Sequence, residues 1–149
     1  MQNIDVIRAT SLFEGVGEEA LAVFAKNAIA SSYGAKSVIA AEGSLGDCLF
    51  IIKSGSVDVI LNRDTKGAVK IAELAAGDFA GEMSLIDSQP RSASLIARQD
   101  TKVLIITRAA LLDLHSKDFD AFMRIIVNIT RRIGNRLRET DKVLANIAR

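Results

Sequence analysis

Residues 77–94 of the chain have the sequence GDFAGEMSLIDSQPRSAS, and these eighteen positions hold the residue types from which a sugar-phosphate site can be built. Gly77 and Gly81 predict a turn between them, because glycine adopts positive φ without steric cost. Glu82 follows directly and can accept hydrogen bonds from sugar hydroxyls. Arg91 offers paired donors in a fixed geometry that suits phosphate oxygens, which lysine does not match. The segment therefore predicts a binding site for a phosphorylated sugar.

The residues between and after these groups agree with that prediction. Met83–Ile86 can form one helical turn whose free N–H groups face an anion. After Arg91, the small residues 92–94 let a phosphate approach the backbone. Gly-Glu and Pro-Arg dipeptides also occur in surface loops that hold a structural ion pair, and such a loop is the alternative interpretation.

The ordered string resembles the phosphate-binding cassette of cyclic nucleotide-binding domains, the family of the bacterial catabolite activator protein and of the regulatory subunits of cyclic-AMP-dependent protein kinase. We call residues 77–94 the cassette segment. The resemblance covers essentially the whole chain, because further positions match the family in order and spacing. These are Phe13, Tyr33–Ala35, Ile39, Glu42–Gly43, Leu49–Ile52, Gly55–Val57 and Arg108, the last at the start of a helix after the last strand.

The resemblance implies how the cassette segment holds a cyclic nucleotide. In the family, the glycine and glutamate at Gly81 and Glu82 hold the ribose, and the glutamate accepts a hydrogen bond from the 2′-hydroxyl. The arginine at Arg91 pairs with the cyclic phosphate. Ser92 and Ala93 assist it, the first through its side chain or N–H and the second through its N–H.

The resemblance assigns the remaining contacts in the same way. Met83 and Ser84 match positions whose backbone meets the phosphate and the ribose. Val59 and Ile71 match apolar strand positions that lie against the purine. The long C-terminal helix closes over the base, and counting from the cassette segment without gaps places Arg136 near it, where a guanidinium can stack on or cap a purine.

The hydrophobic periodicity divides the chain into three zones. Residues 1–30 show helical spacing, residues 31–107 show a period of two, and residues 108–149 return to helix. Turn residues separate the short apolar runs of the middle zone. The runs are Val38–Ala40, Leu49–Ile52, Val57–Leu61, Val69–Leu74, Ala93–Ala97 and Val103–Ile106. We predict an α+β fold in which an antiparallel β-roll, or jelly roll, of about eight strands carries N-terminal helices and a long C-terminal helix.

Composition favours one domain over residues 1–149. The chain is 49% hydrophobic, and none of its apolar runs approaches the roughly 18 residues of a membrane span. The start, MQNIDVIRAT, lacks the apolar segment of a signal peptide. Cys48 is the single cysteine, so no internal disulfide can form, and we expect its thiol to be buried and inert. The cytoplasm is the expected compartment.

The C-terminal zone is basic and amphipathic. Residues 124–149 contain seven basic and two acidic side chains, a local balance of +5 within a chain of net charge +1. The basic residues are Arg124, Arg131, Arg132, Arg136, Arg138, Lys142 and Arg149. A basic helix can face nucleic acid, an acidic membrane or an anionic ligand, or it can be a solvated surface. Its apolar stripe can also pack on a second copy, so residues 122–147 are a candidate homodimer seam, which Arg136 and Thr140 interrupt with polar groups.

Catalysis has little support in the sequence. His115 is the single histidine and lies far along the chain from the cassette segment. No Cys/His cluster suggests a zinc site, and the GxxxxGK[ST] string of P-loop nucleotide hydrolases does not occur. We therefore predict a binding protein that is not an enzyme, with no metal or cofactor.

The leading functional hypothesis is a module that binds a 3′,5′-cyclic purine nucleotide and signals through movement of the C-terminal helix. We expect cAMP ahead of cGMP, although Ser92 leaves the choice open because its hydroxyl can meet the phosphate or a guanine amino group. The winged helix-turn-helix of catabolite-activator-type regulators does not follow the long helix, so we expect a stand-alone domain that acts on a separate effector protein. The alternative is an interaction or oligomerisation module of the same fold without nucleotide affinity, and nucleic-acid binding through the basic helix is a weaker third hypothesis.

Overall fold

The computed structural model of the chain describes residues 2–148, a range that leaves Arg149 of the basic segment outside. The chain begins with α1 (Asn3–Ala9), a 3-10 turn (Ser11–Phe13) and α2 (Glu18–Asn27). It ends with α4 (Arg108–Lys117) and α5 (Phe119–Ile147), and α3 (Met83–Ile86) lies within the cassette segment. The strands are β1 (Ile29–Tyr33), β2 (Val38–Ala40), β3 (Cys48–Ser54), β4 (Ser56–Leu61), β5 (Val69–Ala75), β6 (Phe79–Ala80), β7 (Ser94–Ala97) and β8 (Thr101–Thr107).

The eight strands form two antiparallel sheets of four, with the orders β1-β8-β3-β6 and β2-β7-β4-β5. Strand β3 shows how they share the core, because its alternate side chains point to opposite faces. Leu49 and Ile51 pack against the helices, whereas Phe50 and Ile52 pack inside the roll between the sheets. The predicted α+β antiparallel roll with helices at both ends is confirmed.

Two strands of the roll, β1 and β6, have no period-two pattern in the sequence that predicts them. The helical spacing of the N-terminal zone continues to Ile29, but β1 begins at that residue, where Ile29 pairs with Ile105 of β8. The roll therefore starts two residues before the predicted boundary at 31. The two-residue strand β6 is too short to show any period, and it exists because Phe79 and Ala80 pair with β3. Both strands depend on partners distant in the sequence, which override local spacing.

The boundary between the roll and the C-terminal helices is the predicted one. Strand β8 ends at Thr107 and α4 starts at Arg108, where the Thr107 hydroxyl oxygen accepts a hydrogen bond from the N–H of Ala110 at 3.2 Å. A threonine at this position satisfies one of the free N–H groups of a helix start. The roll and the helices therefore meet at a capped junction.

Helix α5 has two halves with different surroundings. In the first half, Ala121, Ile125 and Ile129 are buried against the helical side of the core. Asn128 donates from its side-chain amide to the carbonyls of Leu12 and Glu14, at 2.9 Å each, which fixes this half to the 3-10 turn. The second half is exposed, and its large apolar side chains are at least 57% accessible, namely Leu137, Val143, Leu144 and Ile147. None of the helices within residues 2–148 is both long and apolar enough to cross a membrane.

Candidate ligand-binding site

The cassette segment leaves the roll through a turn that requires glycine. Gly77 and Gly81 have φ of +95° and +83°, so the predicted positive-φ turn is confirmed. A Cβ on Gly81 would also lie 2.7 Å from Nη1 of Arg91, so a side chain there would displace the guanidinium. The turn therefore lets the arginine approach the backbone at the start of α3.

Arg91 is held in place without an acidic partner. Its Nη2 donates to the carbonyl oxygen of Cys48 at 3.1 Å and lies 3.5 Å from the Cys48 sulfur. Its Cζ lies 5.2 Å from the centre of the Phe50 ring. None of the ion pairs formed among residues 2–148 includes this guanidinium. A half-buried arginine thus presents a positive charge that no carboxylate of the described chain neutralises.

The backbone around Arg91 supplies further donors. The N–H of Arg91 donates to the carbonyl of Ser44 and its own carbonyl accepts from Gly43, both at 2.8 Å, which ties the segment to the loop between β2 and β3. Within the described range, the N–H groups of Ser92 and Ala93 have no protein acceptor. These two groups and the guanidinium form a set of donors suited to an anion.

Glu82 is the acidic counterpart and is almost fully buried, with 1% of its surface exposed. Its Oε1 accepts a hydrogen bond from Nη1 of Arg136 on α5 at 2.6 Å. Its Oε2 is buried with no hydrogen-bond partner among residues 2–148. Because a buried acceptor without a donor is costly, this oxygen fits a hydroxyl group of a ligand.

The short helix α3 occupies the predicted Met83–Ile86. Met83 is 47% exposed, and its N–H has no protein acceptor in the described part of the chain. Ser84 is buried, and its N–H already donates to the carbonyl of Gly81 at 3.1 Å. Of the two backbone groups that the resemblance implied, the N–H of Met83 is therefore the one that is open to a ligand.

Val59 and Ile71 lie on the neighbouring sheet. Val59 on β4 is partly buried against the interior of the roll, and Ile71 on β5 is 52% exposed at a β-bulge. The cassette segment joins this sheet directly, because Ser94 pairs with Ile60 of β4. The structure thus brings Gly81, Glu82, Arg91 and Arg136 together and places the two apolar residues on the sheet that the segment enters.

Arg108 is a residue of the site for which the sequence analysis gave no role. It opens α4 and donates from Nε to the carbonyl of Ser84 and from Nη2 to the carbonyl of Asp87, each at 3.1 Å. Its Nη2 also lies 3.4 Å from the carbonyl of Gly46. A basic residue is unfavourable in the first turn of a helix, so an arginine there is itself a sign of a tertiary role. Arg108 fixes α3 to α4 and to the loop behind Arg91.

The turn of α5 that contacts the cassette segment holds two arginines. One turn before Arg136, Arg132 packs over the Phe79 ring, with its Cζ 4.6 Å from the ring centre, and donates to the carbonyl of Phe79 at 3.1 Å. Burial lowers the pKa of Arg132, and the positive charge of Arg136 lowers it further. The carboxylates of Glu82, Asp78 and Glu139 raise the pKa of Arg132 in the opposite sense, so positive and negative groups are mixed on this side of the site.

The groups considered for catalysis lie elsewhere or are inert. His115 packs edge-on against Phe119 and Phe122, with ring centres 5.4 and 5.1 Å away, on the α4–α5 surface. Burial raises the pKa of the half-buried Cys48 thiol, which keeps the sulfur protonated. Among residues 2–148, His, Cys, Asp and Glu side chains form no cluster that could hold a metal ion.

Comparison with known proteins assigns the same region to one family. A family model described as the cyclic nucleotide-binding domain matches residues 30–118. The crystal structure of a cyclic nucleotide-binding domain from Methylobacillus flagellatus KT has a TM-score of 0.83 and 28% identity, covering 97% of this chain and 82% of that chain. The catabolite activator protein of Thermus thermophilus has a TM-score of 0.81 and 29% identity, covering 93% of this chain and 63% of that chain.

The cAMP-dependent protein kinase regulatory subunit of Aspergillus niger is 40% identical over 79 residues. These residues are 53% of this chain and 18% of that protein. The chain therefore spans less than a fifth of the regulatory subunit's length.

Proposed function

The chain belongs to the cyclic nucleotide-binding domain family, and on that premise we propose that its cassette segment binds a 3′,5′-cyclic purine mononucleotide, with cAMP preferred over cGMP. The observation that carries the proposal is the pair of unsatisfied groups in the site. Arg91 has a positive charge without a carboxylate partner in the described chain, and Glu82 has a buried oxygen without a donor. One cyclic nucleotide supplies both a phosphate anion and a ribose hydroxyl.

The preference for cAMP rests on the relatives. The regulatory subunit from Aspergillus niger is named for its dependence on cAMP. Ser92 is exposed and its hydroxyl is compatible with either purine, so the margin between the two nucleotides is small. A tenfold preference corresponds to about 1.4 kcal/mol, which is the size of one hydrogen bond.

Isothermal calorimetry with cAMP, cGMP, 5′-AMP and cyclic di-GMP tests this proposal. We expect saturable binding of cAMP, weaker binding of cGMP, and much weaker binding of the other two, because neither offers a single cyclic phosphate beside a free 2′-hydroxyl. Equal affinity for 5′-AMP and cAMP would contradict a site shaped for the cyclic phosphate. Tighter binding of cGMP would reverse the proposed order and leave the cyclic nucleotide site in place.

We further propose that the nucleotide acts as a switch through α5 and that a separate effector protein detects the change. A ligand moves a helix only if it binds one helix position better than another. The contact between Arg136 and Glu82 supports this proposal, because it joins α5 to the carboxylate proposed to bind the ribose. The second half of α5 is exposed, so its movement would break few contacts with the rest of the domain.

Arg136→Ala is expected to weaken nucleotide binding modestly, by about threefold to tenfold, while largely uncoupling it from helix movement. The measurement is the distance between spin labels at Glu139 on α5 and Lys66 in the β4–β5 loop. The labels are placed in a Cys48→Ser background whose cAMP affinity is first compared with that of the wild-type protein, because the Cys48 sulfur contacts Arg91. Saturating cAMP should shift the distance distribution of the parent protein and leave that of the variant nearly unchanged. Identical distributions for the parent with and without cAMP would leave a binding domain without the proposed switch.

An oligomerisation module is the second candidate function, and the exposed face of α5 favours it. Leu137, Leu144 and Ile147 are 58–74% exposed and recur at intervals of seven and three residues, which suits packing against a second copy. We propose a homodimer through residues 122–147, with Arg136 and Thr140 as polar interruptions of the seam. The dimer is compatible with nucleotide binding. A scaffold without nucleotide affinity does not explain why the Arg91 guanidinium has no carboxylate partner in the described chain.

A further inference from the structure

The two oxygens of the Glu82 carboxylate have different surroundings. Oε1 is occupied by Nη1 of Arg136 at 2.6 Å, and Oε2 is buried without a partner among residues 2–148. Arg136 comes from a helix 54 positions further along the chain and is the one cation paired with Glu82 in the described range. The arginine therefore binds one oxygen, and the other keeps an acceptor capacity that no described residue uses.

Burial makes the arginine necessary for the orientation of the carboxylate. Glu82 is 1% exposed, so its charge depends on a protein partner in place of water. An arginine bound to one oxygen fixes the plane of the carboxylate and so fixes the direction of the other oxygen. Without that contact the side chain can rotate, and Oε2 no longer has a single position from which to accept a hydrogen bond.

Arg136 is itself positioned without help from a ligand. Arg132, one turn earlier on α5, is anchored on β6 by its packing over the Phe79 ring and its hydrogen bond to the Phe79 carbonyl. Glu82 follows that strand by two residues. The same turn of α5 that contacts β6 thus presents Arg136 to the carboxylate.

We propose that Arg136 is a positioning residue for sugar selectivity, which sets the preference of the site for ribose over 2′-deoxyribose by orienting Glu82. The inference rests on the proposed function of the cassette segment and deepens it, because it places Arg136 on the ribose side of the site. The sequence analysis had expected this residue near the purine base. The loss in affinity when the ligand lacks its 2′-hydroxyl then depends on the presence of Arg136.

The test compares two ligands on four proteins, the wild type and three variants, by calorimetry on the full chain. The ligands are cAMP and its 2′-deoxy analogue, which differ by the one hydroxyl that Glu82 is proposed to bind. The wild-type protein should prefer cAMP by about tenfold or more, the value of one hydrogen bond to a charged group. In Arg136→Ala the preference should fall below about threefold, mainly through weaker binding of cAMP.

Arg138→Ala is the matched control, because it removes the same charge from the same helix and, within residues 2–148, its side chain hydrogen-bonds to Asn135 alone. It should keep the wild-type preference. Arg136→Lys should restore part of the preference by keeping a cation beside Oε1. Arg136 lies on the exposed half of α5, so circular dichroism should show all variants folded.

The outcomes separate the two proposals. If cAMP binds and Arg136→Ala keeps the full preference for ribose, the positioning role is wrong and the proposed function stands. If the wild-type protein binds both ligands equally, Glu82 does not bind the 2′-hydroxyl and the positioning role is wrong. If neither ligand binds the wild-type protein, the proposed function fails and the inference falls with it.

Discussion

Arg91→Ala is expected to lower the affinity for cAMP by a factor of about thirty to several thousand, which removes detectable binding in a routine titration. The reason lies in what surrounds the guanidinium. Its protein contacts are the carbonyl and sulfur of Cys48 and the face of the Phe50 ring, with no carboxylate from the described chain. The substitution therefore removes the charged donor that we propose for the cyclic phosphate and disrupts no ion pair formed among residues 2–148.

Arg98→Ala supplies the control for this experiment. Arg98 lies shortly after β7, is about half exposed, and pairs with Glu73 on the outer surface. It carries the same charge and should bind cAMP as the wild-type protein does. Wild-type affinity in Arg91→Ala, measured on protein with an unchanged melting temperature, would overturn the site assignment.

Gly46→Ala is expected to weaken cAMP binding by about tenfold to a hundredfold while leaving the fold intact. A Cβ at this position would lie 2.5 Å from Cζ and 2.6 Å from Nε of Arg91. The atoms in conflict belong to the end of a flexible side chain, so the guanidinium moves and the backbone does not. The added methyl group thus displaces the charge that we propose to bind the phosphate, without removing it.

Gly67→Ala is the matched control, because a Cβ there meets only the Thr65 hydroxyl oxygen at 3.6 Å. Fluorescence competition against a labelled cyclic nucleotide gives both affinities in one assay. Unchanged binding in Gly46→Ala would show that Arg91 reaches the phosphate from another position. Loss of binding together with a collapse in melting temperature would show that the backbone, and not the side chain, absorbs the conflict.

The sequence predicted the cassette segment well because the information is contiguous. The positive-φ glycines, the four-residue helix α3 and the small residues after Arg91 all depend on neighbours within eighteen positions. The junction at Thr107 was equally predictable, because a capping threonine and the start of a helical period coincide there. Local chemistry determines these features.

Other parts of the site depend on contacts between distant segments, which no single stretch of sequence contains. Strand β6 has two residues and exists through its pairing with β3. The contact from Arg136 to Glu82 spans 54 positions and requires α5 to pack along the roll at one particular rotation. A count along the chain predicted a position for Arg136 near the purine base but could not predict its contact with Glu82.

The most direct test of the central claim is a titration of ¹⁵N-labelled protein with cAMP, followed by the backbone amide signals and the Nε–H signal of Arg91. We predict that the largest shifts fall on Glu82, Met83, Ser92 and Ala93 and on the Arg91 side chain, and that all saturate together at one nucleotide per chain. Smaller shifts should follow along α5 from Arg132 to Arg136. Shifts confined to the exposed basic residues of α5, or no shifts at millimolar cAMP, would contradict the assignment of the cassette segment as a cyclic nucleotide site.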